Sequence, residues 1–354
     1  MFRVTPKKGA LTLDFSRVTR ILEDYRARGY YPSAVCQVFD KNGTLYHRSF
    51  GEAAPDSWFD LASVSKLLCT TMLLFAMEEG RLTPEDRLLE HLPEGKAGPA
   101  TRERLREVTI AQVMTHTSGI LAWYPFYTDG GEFYGILERL MKDTAPEEGM
   151  VYSDLNFMLL GEVFCQVTGL TLREGLDRYF HRRLGIRDIS YGPVDPGLCV
   201  PGSRGNQIEK RMCAQRGLAF DGWRPDGVSN RGDCNDGNAY YYWGQCSGHA
   251  GGFANSGALA RLGQFLLTTD SPIFLRAMTE NVCGRGFGFD LRDPFLPGCG
   301  HSGFTGTSLW VCREAGLGVV ILTNKYDCPE GHKPGASNEF RREVHTAVLG
   351  CAAD

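Results

Sequence analysis

The chain has 354 residues, 42% of them hydrophobic, with 38 basic and 42 acidic side chains and a net charge of −4. That length supports a substantial core in one large domain or two lobes, and the mild acidity leaves no electrostatic footprint for nucleic acid or an anionic membrane. Twelve cysteines fall far below the density of a disulfide scaffold and form no C-x-x-C pair, so reduced and mostly buried thiols are expected.

Asp14–Arg28 carries Phe15, Val18, Ile21, Leu22 and Tyr25 at helical spacing. Two strands, Ala34–Asp40 and Thr44–Phe50, are predicted about Asn42-Gly43, a strong hairpin signal. The apolar run Leu67–Met77 is well short of the roughly 20 residues of a membrane span and reads as a buried helix ending near Gly80. Thr83-Pro84-Glu85 is a cap-and-start pattern for a short helix, and Thr109 caps Ile110–Thr115. An aromatic loop, Trp123 to Tyr127, precedes helical patterns at Glu132–Lys142, Ser153–Val167 and Thr171–Arg183. Residues 191–247 show no clear periodicity, and a segment so long and irregular is often functional or forms a lid. A helix over Ser256–Leu267, strands at Thr307–Arg313 and Gly318–Asn324, and a last helix over Ser337–Leu349 complete the pattern. Met1–Leu11 lacks the apolar stretch of a secretory leader, so a cytoplasmic location is expected. The order predicts a sheet built from both chain ends (roughly 1–62 and 253–354) with a helical lobe between (roughly 63–252).

Ser63-Val64-Ser65-Lys66 is the one place where a serine stands three residues before a lysine, and it opens the Leu67–Met77 run. On a helix the two side chains share a face. The amine can take the serine proton, and the helix N-terminus favours the resulting oxyanion. The plain alternative is a helix cap followed by a surface lysine. Tyr152-Ser153-Asp154 precedes a second apolar run. Tyr152 is either an edge aromatic or a proton partner of Lys66 and Ser63, and Ser153 or Asp154 is a natural N-cap. His301-Ser302-Gly303-Phe304 leads into a strand; it is a tight turn, or a glycine-rich edge that admits a substrate backbone and offers an N–H to an oxyanion hole.

Together, in this order, the three motifs resemble the S-x-x-K, Y-x-N and K-T-G or H-x-G signature of penicillin-binding proteins, class C β-lactamases and related esterases. Phe59-Asp60-Leu61-Ala62, Thr115-His116-Thr117-Ser118-Gly119, Leu159-Leu160-Gly161 and Gly248-His249-Ala250-Gly251-Gly252 fit the same family, from about residue 15 to 349. The resemblance implies an α/β (α+β) fold with a mainly antiparallel sheet flanked by helices and a mostly helical lobe. It implies Ser63 as nucleophile, Lys66 as its proton acceptor, Tyr152 as the partner in deacylation, and the Ser63 and Phe304 N–H groups as the oxyanion hole.

Two departures shift the expected chemistry. Asp154 stands where the family has Asn, and a carboxylate cannot donate to an acyl side-chain carbonyl; it can anchor Lys66. His301 replaces the lysine typical of β-lactamases, and a neutral imidazole binds a carboxylate less strongly. Substrate contacts are expected from Asp154, His301, Ser302, Gly303, His249, Trp123 and Tyr124, with an apolar pocket formed by the 123–127 loop and Tyr240–Trp243. No two histidines sit at metal-ligand spacing, so no metal or other cofactor is expected. G-x-S-x-G is absent, which argues against an α/β-hydrolase. The expectation is a serine hydrolase using a Ser63 acyl-enzyme, acting as an esterase on small or aromatic acyl compounds. Acyl transfer, D-amino-acid peptidase or weak β-lactamase activity, and non-catalytic recognition are the alternatives. The partner expected is a small-molecule acyl substrate, with no nucleic acid or membrane; no pattern fixes the oligomeric state.

Overall fold

A computed structural model of the chain describes residues 13–327 and 336–353; the Met1–Leu11 segment lies outside them. The strands are β1 (Ala34–Asp40), β2 (Gly43–Phe50), β3 (Phe59–Asp60), β4 (Ile189–Tyr191), β5 (Gly252–Ala254), β6 (Cys299–Ser302), β7 (Ser308–Cys312) and β8 (Leu317–Thr323). The α-helices are α1 (Ser16–Ala27), α2 (Ser65–Glu78), α3 (Pro99–Leu105), α4 (Ile110–Met114), α5 (Phe133–Asp143), α6 (Asp154–Thr168), α7 (Leu172–Leu176), α8 (Gln207–Gln215), α9 (Ser256–Thr268), α10 (Pro272–Thr279) and α11 (Ala336–Ala353).

Strand alternation explains the layers. Successive side chains on a strand point to opposite faces. In β1, Ala34, Cys36 and Val38 join Val18, Leu22, Phe340 and Val344 in a core under α1 and α11. Val35 and Phe39 face the other way, into the main core with Leu259, Leu262 and Leu266 of α9. Because both faces are covered, every residue of β8 is buried. The five-stranded antiparallel sheet runs β2-β1-β8-β7-β6, so strands from the two ends of the sequence lie side by side at its centre.

A second, three-stranded sheet, β3-β5-β4, brings the segment before Ser63 against Gly252–Ala254. From it the chain enters α2, whose residues Ser65–Met77 are all buried. A helix apolar on every side belongs inside a core, and α2 packs against α6, α7 and α10. The α2–α6 contact sets the N-terminus of α6 beside the N-terminal turn of α2.

Several expectations need correction. No helix starts at Thr83: its N–H and hydroxyl both donate to Asp86, which closes a local turn. Residues 191–247 are not wholly irregular, because they contain α8 and start on the last residue of β4. Only Cys213 of α8 is buried, so its sequence lacks a strong apolar stripe.

Candidate active site

The Ser63 turn is held in a constrained backbone. Ala62 has φ +47°, unusual for a residue with a Cβ. The Asp60 carboxylate steadies it, accepting from Ala62 N at 2.8 Å and from Asn235 N at 2.6 Å. A single 3-10 turn, Ala62–Val64, leads into α2 and puts Ser63 and Lys66 together. Lys66 Nζ lies 3.1 Å from Ser63 Oγ, 2.7 Å from Asp154 Oδ1 and 3.1 Å from the His249 carbonyl oxygen. These three acceptors match the three protons of an ammonium. Burial of Lys66 opposes its charge, but the Asp154 carboxylate and the nearby Tyr152 outweigh burial, so its pKa is raised.

Tyr152 is enclosed by imidazoles and cations. Lys66 Nζ lies 5.0 Å and the Arg285 guanidinium 5.1 Å from its ring centroid. The His116 ring stands 4.6 Å away and the His301 ring 6.0 Å away. His116 Nδ1 accepts from Ser153 N at 3.0 Å, which fixes the backbone beside Tyr152. Burial, then the charge of Arg285, pushes the His116 pKa well down. His301 Nδ1 is 2.8 Å from Ser302 O, to which it donates, leaving Nε2 as an acceptor without a protein partner. Burial, followed by Arg285 and Lys66, lowers its pKa to about 3, so the imidazole is neutral.

The end of β6 lies against the serine turn because Gly303 has no side chain. A Cβ there would sit 2.1 Å from Thr307 Oγ1 and 2.4 Å from Leu61 O. Thr305 and Thr307 donate their hydroxyls to Asp60 O and Leu61 O, both at 2.8 Å, tying the β6–β7 turn to the nucleophile turn. Among the described residues, neither Ser63 N nor Phe304 N donates to a protein acceptor. Both residues border a cleft of about 700 Å³. A serine oxygen beside an ammonium, with two free amides at one mouth, can attack a carbonyl and hold the resulting oxyanion.

Ser63, Tyr152, Asp154, His301, Ser302, Gly303, Phe304 and Trp123 all line the cleft, and Lys66 lies buried behind Ser63. Two expected substrate contacts are placed elsewhere. Tyr124 is turned away, donating its hydroxyl to Asp129 at 2.5 Å. The His249 ring is buried between Ser247 and Asp236, and its contribution is the carbonyl that receives Lys66. Its neighbour Gly248 crosses α6 so closely that a Cβ would meet Phe157 O at 2.0 Å. Sequence patterns did not single out Arg285, Arg292, Lys325 and Arg341, or Glu209 and Asp236, all of which line the cleft. They come from separate loops and helices, and no local spacing announces them. Among the described residues no group of His, Cys, Asp and Glu could hold a metal ion.

The Beta-lactamase family model matches residues 18–340. A relative named "Putative D-alanyl-D-alanine carboxypeptidase" from Escherichia coli K12 is 25% identical over 383 aligned residues, 92% of this chain and 86% of the relative. Among solved structures, the octameric penicillin-binding protein homologue from Pyrococcus abyssi superposes with a TM-score of 0.70 at 16% identity, covering 95% of this chain and 78% of that one. "EstCE1, a hydrolase with promiscuous acyltransferase activity" gives a TM-score of 0.69 at 19% identity, covering 96% and 99%. These structural likenesses show the fold, a mixed α/β arrangement around an antiparallel sheet.

Proposed function

The chain belongs to the beta-lactamase family of serine hydrolases, and we propose that it hydrolyses small carboxylic esters through an acyl-enzyme on Ser63. The observation that carries this reading is the 3.1 Å contact between Lys66 Nζ and Ser63 Oγ at the wall of an open cleft. Ser63 Oγ attacks the ester carbonyl, whose oxygen becomes an anion facing the Ser63 and Phe304 amides. The ester C–O bond then breaks, and water repeats the attack on the acyl-enzyme.

Proton traffic follows from charge. Lys66, held as an ammonium by Asp154, cannot accept the serine proton in that state. We assign the acceptor role to the Tyr152 oxygen, which interacts with the same Lys66. Lys66 and Arg285, each about 5 Å from its ring, offset the negative charge that the oxygen carries in that role. The leaving alkoxide takes the proton back, and the cycle repeats with water in deacylation.

Asp154 supports esters over β-lactams. It lines the cleft as a carboxylate, which accepts but does not donate. The side-chain carbonyl of a β-lactam finds no donor in it, and an ester lacking that amide loses nothing. A second reading, peptide cleavage next to a D-amino acid, draws on the name of the Escherichia coli relative.

One reaction series tests the proposal. Wild type and Ser63→Ala are incubated with a fluorophosphonate, with p-nitrophenyl butyrate, with penicillin and with a D-alanyl-D-alanine peptide. A single adduct on Ser63 and ester turnover absent in Ser63→Ala are expected. Equal ester hydrolysis by both proteins with no adduct refutes the catalytic assignment; faster peptide than ester turnover selects the second reading.

A further inference from the structure

One buried cation in the 191–247 segment takes no part in the chemistry above. Arg224 is 8% exposed and lies outside the cleft lining. Its guanidinium carbon stands 3.5 Å from the centroid of the Tyr240 ring, and Nη2 donates to the Cys234 carbonyl oxygen. Among the described residues, Nε and Nη1 have no acceptor. A cation so placed needs a counter-charge within reach of its field.

The carbonyl that Arg224 holds is one end of a peptide unit whose other end reaches the serine turn. Asn235 N, bonded to the Cys234 carbonyl carbon, donates to Asp60 Oδ2 at 2.6 Å, and Asp60 Oδ1 accepts from Ala62 N at 2.8 Å. A cation on the carbonyl and an anion on the N–H both align with the peptide dipole, so each bond strengthens the other. The next two residues extend the brace. Asp236 Oδ1 accepts from His249 Nε2 at 2.9 Å, and His249 gives its carbonyl to Lys66. Gly237 N donates to Glu209 Oε1 of α8 at 2.7 Å. Residues 234–237 therefore form a strut that joins the nucleophile turn, the Lys66 acceptor and α8.

We propose that Arg224 is a positioning residue for Ser63: it supplies the counter-charge that lets Asp60 serve both Ala62 N and Asn235 N as a carboxylate. This rests on the reading of Ser63 as the nucleophile. A protonated carboxyl cannot serve both amides, because its O–H oxygen presents a proton to one of them. The positive φ of Ala62 then loses its brace, and Ser63 its setting. Burial lifts the Asp60 pKa to about 6; the two backbone N–H groups and the Arg224 charge lower it, and the Asp236 charge raises it. The other titratable neighbours of Asp60 are the Cys199 and Cys234 thiols, the first pushed up to about 12 by burial and the second well up. Asp233 and Tyr326 border a small cavity with Asp60; Asp233 accepts from Gln245 Nε2 at 2.6 Å, and burial pushes the Tyr326 phenol up to about 12.

The test is the rate of Ser63 labelling by a fluorophosphonate from pH 5.5 to 9 in wild type, Arg224→Gln, Arg224→Lys and Asp60→Asn, each checked by its melting temperature. Dividing the wild-type rate by the variant rate cancels the titration of Lys66 and Tyr152. For Arg224→Gln, which keeps a donor for Cys234 O and loses the charge, the ratio is expected to be about fivefold larger near pH 6.5 than at pH 9, because Asp60 then holds its proton to higher pH. Arg224→Lys keeps the charge, and its ratio should not vary with pH. Asp60→Asn is neutral throughout, so its ratio should rise with pH as wild-type Asp60 ionises. A merely structural loss lowers the rate equally at every pH, and such a constant ratio in folded Arg224→Gln overturns the proposal. A ratio for Arg224→Lys that tracks that of Arg224→Gln overturns it too. Should Arg224→Gln not fold, a constant ratio for the isosteric Asp60→Asn has the same force. Wild type that takes no label overturns the nucleophile reading and with it the role of Arg224; labelled wild type with constant ratios overturns the role of Arg224 alone.

Discussion

Replacing Asp154 by asparagine should change what Lys66 can do, because one carboxylate holds that lysine as an ammonium. Nζ and Oδ1 are 2.7 Å apart, with Lys66 fully buried and the Asp154 side chain 19% exposed. At an effective dielectric constant of about 20, two unit charges at that distance attract by about 6 kcal/mol, an upper bound. Removing one partner of a buried pair costs about 3–5 kcal/mol. Asparagine keeps an oxygen for Nζ but not the charge, so burial, which opposes the ammonium, becomes dominant. At about 1.4 kcal/mol per unit, the Lys66 pKa should fall by about 2–4 units. The assay is the rate of fluorophosphonate labelling of Ser63 from pH 6 to 10.5. A base-dependent limb that wild type lacks should appear in Asp154→Asn within this range, as free amine becomes available to take the serine proton. The fold should weaken by about 3 kcal/mol at neutral pH: a group whose folded pKa is raised stabilises below its unfolded value, and that contribution is what the substitution removes. Labelling profiles that superimpose within half a unit, in a variant shown to be folded, would falsify this account of the pair.

Tyr152→Phe should slow both acylation and deacylation, lowering ester turnover by about 10²–10⁴-fold as read by single-turnover kinetics; unchanged turnover removes Tyr152 from the proton path. Gly303→Ala should cost about 1–3 kcal/mol from overpacking against Thr307 and Leu61, and about 10²–10³-fold in kcat as the Phe304 amide is displaced. A variant with wild-type rate and melting temperature contradicts that fit. His345 stacks on Trp310 at 4.7 Å, donates Nδ1–H to Pro294 O at 2.7 Å, and is held neutral by burial with its pKa lowered to about 4. The unfolded chain binds a proton there below pH 6.5 and the folded chain does not, so this group's contribution is lost as pH falls from 6.5 towards 4. His345→Gln should flatten the stability–pH curve in that window by about one proton, or about 1.4 kcal/mol per pH unit. Urea unfolding at pH 4.5, 5.5 and 7 measures the slope, and parallel curves for the two proteins count against it.

The legible parts of this molecule are those where chemistry and periodicity are local. Ser63 and Lys66 are three residues apart on one helix, and the Asn42-Gly43 turn joins two adjacent strands. The apolar run of α2 announces its own burial. Convergence from distant segments is harder to read. Arg285, Lys325 and Arg341 lie far apart in sequence with no shared motif, and only the packing of the fold brings them to one cleft. Helix α3 begins at Gly98-Pro99 with few apolar positions, so its start signal has no stripe to confirm it. Thr83-Pro84-Glu85 shows the reverse error. A start signal there is spent on a turn, because Asp86 offers a nearer acceptor than a helical carbonyl.

The adjacency of β1 and β8 at the centre of the main sheet governs how the protein is made. Ser33 N donates to Asn324 Oδ1 across 291 residues of sequence, and the ties from Thr305 and Thr307 to the serine turn span 245 and 246. Contacts of such separation close slowly, because the loop entropy is lost before any contact offsets it. A chain emerging from the ribosome therefore carries Ser63 and Lys66 long before it has the Phe304 amide or the strand that braces them. Reactivity arrives only with the last stretch of synthesis, so an interrupted chain holds a serine but no oxyanion hole.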